Sequence, residues 1–98
     1  MTKEIYLTIL FDYYGELLTE KQQTYFKYYY FENLSLSEIA ENLNISRNAV
    51  HKQLKLIEEK LEFLEAKLNL YKKDEELKNI IKNIKDKDLK LELQKLLK

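Results

Sequence analysis

Between positions 46 and 55 the chain gathers Ser46, Arg47, Asn48, His51, Lys52 and Lys55, polar or basic side chains with no acid among them. Arg47 is the only arginine in a chain otherwise basic through lysine. A guanidinium can donate a forked pair of hydrogen bonds to guanine, an asparagine can pair with adenine, and lysines neutralise phosphates. A cation in a helix's first turn opposes the helix dipole, and contact with a polyanion offsets that cost. These residue types therefore suit duplex DNA read in a groove. Formal net charge is zero, but its distribution is uneven: residues 1–45 sum to −4, residues 46–57 to +3 and the remainder to +1. A short positive stretch in a neutral chain points to one docking surface.

Other chemistries find less support. His51 is the single histidine and cysteine is absent, so neither a His/Cys metal site nor a thiol nucleophile can be assembled. Gly15 is the only glycine, which excludes a glycine-rich phosphate loop. Carboxylates are plentiful but stand three or four residues from lysines, the pattern of solvated ion pairs on helix exteriors. The chain is therefore expected to be no enzyme and to carry no cofactor. The aromatic cluster from Tyr25 to Phe31 could stack on unpaired bases, but reads better as core or subunit interface. Absence of cysteine fits a reducing compartment. No apolar run approaches the roughly 20 residues of a membrane span, and Met1-Thr2-Lys3-Glu4 has no signal-peptide character. The expectation is a cytoplasmic protein that does not insert into membranes.

The elements that would position the 46–55 cluster follow from composition and periodicity. A chain of 98 residues without proline has little to interrupt helices, so the expected class is all-α. The spacing predicts a first helix from about Glu4 to Leu17, apolar around most of its circumference and so largely buried. Thr19 and Gln22 have the form of a capping box opening a second helix that runs to about Phe31 or Glu32. Ser35 and Glu38 form another, opening a short helix to about Asn42. Leu43-Asn44-Ile45 is a turn, with Asn44 suited to a left-handed conformation. Ser46 caps the longest helix, predicted to reach Tyr71. Along it Val50, Leu54, Ile57, Leu61, Leu64, Leu68 and Tyr71 form a heptad stripe longer than a small domain needs. Asp74 and Asp86 are expected to cap two further helices, carrying Leu77, Ile80, Ile81 and Ile84, then Leu89, Leu93, Leu96 and Leu97. These could fold back on the stripe, swap onto a second subunit, or do both.

Within this scheme residues 36–55 have the layout of a helix-turn-helix. Ile39 and Leu43 face inward from its first helix and Val50 and Leu54 from its second. Ala40 permits a close crossing and Ile45 plugs the corner. The expected organisation is a helix-turn-helix domain over 1–60 and a helical extension over 61–98 that packs or dimerises.

Leu18-Thr19-Glu20-Lys21-Gln22-Gln23, Tyr28-Tyr29-Tyr30 and the run from Leu36 to Val50 resemble the promoter-reading (region four) domain of bacterial sigma factors. Over nearly the whole chain the closer resemblance is to the YlxM-type family of small helix-turn-helix proteins. Leu10-Phe11-Asp12-Tyr13-Tyr14 and Glu65-Ala66-Lys67-Leu68-Asn69-Leu70-Tyr71 carry that match. The resemblance implies a sigma-like helix-turn-helix bundle with an extended fourth helix and a helical tail. It also implies a bacterial regulatory protein linked to the signal recognition particle. Ser46, Arg47 and the exposed residues after them fall at the DNA-reading positions. His51 stands where a tyrosine is expected, which bears on base preference. The partners expected are duplex DNA, a second copy of the chain, and components of the signal recognition particle.

Overall fold

A computed structural model describes residues 1–98 throughout, and the fold is all-α. The helices are α1 (Lys3–Tyr14), α2 (Glu20–Phe26), α3 (Leu36–Leu43), α4 (Arg47–Leu68), α5 (Leu70–Lys82) and α6 (Lys87–Gln94). Side chains set most of their starts. The Thr19 hydroxyl accepts from the Gln22 N–H at 3.1 Å, and the Gln22 side chain accepts from the Thr19 N–H at 3.0 Å. Ser35 and Glu38 repeat the exchange at 3.1 and 2.9 Å. Ser46 accepts from the Ala49 N–H at 3.0 Å, and Asp86 accepts from the N–H groups of Asp88 and Leu89. Each such cap satisfies a donor the helix cannot pair itself and contributes about 1 kcal/mol.

Asparagines supply the left-handed turns. Asn33, Asn44 and Asn69 have φ of 57°, 55° and 55°, whereas Gly15 is right-handed. Gly15 serves close approach instead, since a Cβ there would stand 3.1 Å from the Phe11 ring. That ring stacks on Phe26 with centroids 4.4 Å apart.

Three departures from simple periodicity follow. The first helix tightens into a 3₁₀ turn over Gly15–Leu17, and Ile5 and Leu17 are exposed rather than buried. The second widens after Phe26 into a π-helical turn, Lys27–Phe31, where Phe26 and Tyr30 stack at 4.4 Å. The helix predicted to run from 46 to 71 stops at Leu68, because Asn69 turns left-handed and α5 begins at once. Asp74 therefore caps nothing. It lies inside α5 and accepts a hydrogen bond from the Tyr13 hydroxyl at 2.6 Å.

The core joins Leu7, Leu10 and Tyr14 of α1, Tyr25 and Phe26 of α2, Ile39 and Ala40 of α3, and Val50, Leu54, Ile57 and Leu61 of α4. The heptad stripe is thus buried over its first four positions. Leu64 is half-buried and Leu68 is exposed. Beyond the core, α5 and α6 pack on each other as a hairpin, and the Lys98 N–H returns to Asp74 at 3.3 Å. The molecule measures 56 × 25 × 23 Å, with a radius of gyration of 17.1 Å. A compact chain of this length would have about 13 Å. The molecule is therefore elongated.

Candidate nucleic-acid interface

The candidate site is built on the crossing of α3 and α4. At the end of α3 the Ile45 N–H bonds the Ala40 carbonyl at 3.0 Å, and the Asn44 N–H reaches Glu41 at 3.3 Å. That pair of bonds is a Schellman motif, which satisfies the last carbonyls and reverses the chain within two residues. Ile45 then packs against the core. Val50 is fully buried and Leu54 is 5% exposed, so α4 is locked against the body through this edge. Ala40 is 7% exposed in the same core, where a larger side chain would force the helices apart.

With Val50 and Leu54 turned inward, the other side chains of α4's first turns must face out. Ser46, Arg47, Asn48, His51, Lys52 and Lys55 are all exposed. At 100° per residue, Arg47, Asn48, His51, Lys52 and Lys55 lie within an arc of about 140°. Ser46, Asn48, Ala49, His51 and Lys52 line a shallow depression, and His51 and Lys55 border a second one beside Leu36 and Tyr29. The ion pairs of the molecule are Lys3 with Glu58 at 3.7 Å and Lys78 with Glu75 at 3.2 Å. Arg47, Lys52 and Lys55 thus keep their charge uncompensated, and the tail does not cover them. The first turns of α1, α2, α3 and α6 carry Glu4, Glu20, Glu38 and Asp88, whereas that of α4 carries no acid. Dipole and side chains therefore add to a positive end, which suits an anionic partner. No group of three or more His, Asp or Glu is placed to hold a metal ion, and no helix is long and apolar enough to cross a membrane.

The residue that sequence reasoning missed is Glu65. The carboxylates as a group are expected on solvated helix exteriors, yet Glu65 is 7% exposed. It accepts from the Tyr14 hydroxyl at 2.5 Å and from the N–H groups of Tyr71 and Lys72 at 3.1 Å each. The Tyr14 hydroxyl in turn accepts from the Leu70 N–H at 3.2 Å. Asn69 makes no side-chain cap, so Glu65 and Tyr14 serve the free donors of α5. No local signal marks it, because the helix start at Leu70 that needs the acceptor falls inside an unbroken heptad spacing and Tyr14 is 51 residues away in the chain. Burial and the bond to Glu65 push the Tyr14 hydroxyl up to about 12. Burial, and then bonds to Asp74 and Glu58, raise Tyr13 and Tyr30 further. Tyr30 reaches Glu58 at 2.8 Å. These tyrosine–carboxylate bonds fix α4 and α5 to the helices that precede them, and through α4 they hold the exposed cluster in place. In α3, bonds from the backbone and side chain of Ser35 hold the Glu38 carboxyl below its ordinary value.

Two crossed helices joined by a Schellman turn, the second capped by serine and displaying an acid-free polar edge, define a helix-turn-helix protein. Comparison with known families gives the narrower assignment. A family model described as UPF0122, "Putative helix-turn-helix protein, YlxM / p13 like", matches residues 1–98, and the chain belongs to that family. The UPF0122 protein of Caldanaerobacter subterraneus subsp. tengcongensis is 48% identical over 82 residues, 84% of this chain and 70% of the relative. That of Oceanobacillus iheyensis is 41% identical over 100 residues, 98% of this chain and 95% of the relative. That of Desulforamulus reducens is 48% identical over 79 residues, covering 80% and 68% of the two chains.

Proposed function

We propose that this protein is a DNA-binding regulatory protein that acts in the cytoplasm and places the N-terminal turns of α4 in the major groove. One observation carries the reading: Val50 and Leu54 are buried while Arg47, Asn48, His51, Lys52 and Lys55 stand free beside them. In this role Arg47 forks onto a guanine and Asn48 onto an adenine. His51 meets a base edge or a phosphate, and Ser46, Lys52 and Lys55 contact the backbone. A homodimer would present two such helices to two half-sites related by a two-fold axis. No catalytic role is assigned.

Titration of the isotope-labelled protein with duplex DNA, followed by amide NMR, tests the reading. Shifts concentrated over residues 46–55 are the expected result. Shifts confined to α5 and α6, or none at low salt, would overturn it. The zero net charge favours one second reading, since strong DNA binders usually present a wider basic face. In it the chain is an accessory of the signal recognition particle that contacts protein or RNA. Co-purification with particle components, without duplex binding at low salt, selects that reading.

A further inference from the structure

Histidine is the only side chain whose ordinary titration falls between pH 5 and 8, and His51 is the single histidine of a chain without cysteine. It stands on the polar edge of α4, exposed, and the ion pairs of the molecule do not include it. At 100° per residue it lies about 40° round the helix from both Arg47 and Lys55, one turn from each. An α-amino group can also titrate near neutrality, and here it belongs to Met1. Met1 lines a groove with Tyr6, Glu62 and Tyr71, about three turns of α4 from His51.

The charged groups beside His51 on α4 are Lys52, Lys55 and Glu58, with Arg47 one turn earlier. The turn after α2 contributes Tyr29, and α3 contributes Leu36, which carries no charge. Glu58 is already engaged: it accepts from the Tyr30 hydroxyl at 2.8 Å and pairs with Lys3 at 3.7 Å. The free chain thus offers the imidazole cations and one occupied carboxylate, and a strongly anionic neighbour arrives only with the partner.

We infer that His51 is a proton-linked DNA contact: it meets the duplex as the imidazolium, so binding takes up a proton and tightens as pH falls. The inference rests on the reading of α4 given above and adds its regulation. Most groups that α4 can reach on a duplex favour the charged ring. Phosphate oxygens, purine N7, guanine O6 and thymine O4 all accept hydrogen bonds. The imidazolium donates from both ring nitrogens, whereas the neutral ring keeps a lone pair on one of them. Phosphates add the negative charge that the free chain lacks beside this ring. Linkage is reciprocal: if the duplex favours the proton on His51, the proton favours the duplex by the same factor.

The test is affinity for duplex DNA by fluorescence anisotropy at one fixed low salt concentration, from about pH 8 to about pH 6. One solvated ion contact per chain is worth about fivefold, so the parent should bind roughly three- to tenfold more tightly at the acid end. His51→Gln stays polar without titrating there, and should bind at the parent's alkaline level throughout. His51→Lys is charged throughout, and should hold the parent's acid-end affinity at every pH. Because position 51 is exposed, both variants should melt like the parent. Calorimetry near neutrality, in buffers of different ionisation enthalpy, gives a second readout. The heat of binding should vary with the buffer for the parent, which draws a proton from it, and not for His51→Gln. A parent affinity that is flat with pH, or a pH dependence that survives in His51→Gln, would overturn the inference and leave DNA contact by α4 standing. Absence of duplex binding at every pH would overturn the reading of α4 itself, and this inference with it.

Discussion

Replacing Glu65 by alanine would remove the acceptor that joins α1, α4 and α5. Three donors lose their partner at once: the Tyr14 hydroxyl and the N–H groups of Tyr71 and Lys72. A buried donor left unmade costs about 1–3 kcal/mol. Two of the three stand at a helix start that water can partly reach, so the low end applies and the loss is about 3 kcal/mol. For a domain of this size that lowers the melting temperature by roughly 10–20 °C. Glu65→Gln keeps one acceptor oxygen but turns an amide N–H toward a backbone donor, for a loss of about 1–2 kcal/mol. Tyr14→Phe removes both the bond to Glu65 and the acceptor for Leu70, again about 1–2 kcal/mol. The double variant Tyr14→Phe with Glu65→Gln should cost less than the sum of the two, because the residues share one bond. Urea and thermal unfolding by circular dichroism give the energies. Hydrogen exchange gives their location: amides of α5 should exchange faster in Glu65→Ala while those near Val50 and Ile57 keep their protection. A melting temperature within about 3 °C of the parent, or uniform loss of protection, would show that Glu65 does not anchor α5.

Other outcomes follow from single residues. Gly15→Ala should destabilise by about 1 kcal/mol despite its helical φ, because the new Cβ presses a ring stacked on Phe26; a neutral or stabilising change in urea unfolding would contradict this. At Asn44, glycine should be tolerated and alanine should cost about 1 kcal/mol, since φ there is 55°; equal stabilities by thermal melting would contradict it. Tyr13, Tyr14 and Tyr30 should titrate after most other tyrosines by absorbance. Their raised values favour the neutral form in the folded state, so the stability they contribute is complete below pH 10.0 and falls as pH rises, for Tyr14 through about 12. Glu38 has the opposite sign: its contribution holds above its ordinary value of 4.5 and is lost as pH falls below it. Glu38→Gln, which can still close the capping box, should therefore flatten the acid limb of a melting-temperature profile.

What was legible in the sequence was local. The capping boxes at Thr19 and Ser35, the turn at Asn44 and the cap at Ser46 each join groups a few residues apart, so spacing alone predicts them. The inward set from Ile39 to Leu54 was legible for the same reason: its burial follows from helical period once the turn is placed. The break at Asn69 was not, because Leu64, Leu68 and Tyr71 keep the spacing of the stripe across it, and period cannot distinguish one helix from two in register. Glu65 was hidden by distance. Its partner Tyr14 is 51 residues away in the chain, and only the fold brings them together. The widening after Phe26 depends on rings of α1 and α2 meeting, again a contact no window along the sequence contains.

If the exposed edge of α4 contacts DNA, binding must depend on salt through the charges of that edge. Affinity for duplex DNA should be measured by fluorescence anisotropy from low to moderate salt, for the parent and for Arg47→Ala and Lys52→Ala. Lys52→Ala should weaken binding to all sequences and reduce the salt slope by about one. Arg47→Ala should cost about 1–3 kcal/mol and relax preference at one base pair. Affinities and slopes unchanged by both substitutions, in proteins that melt like the parent, would remove this helix from the interface and the account with it.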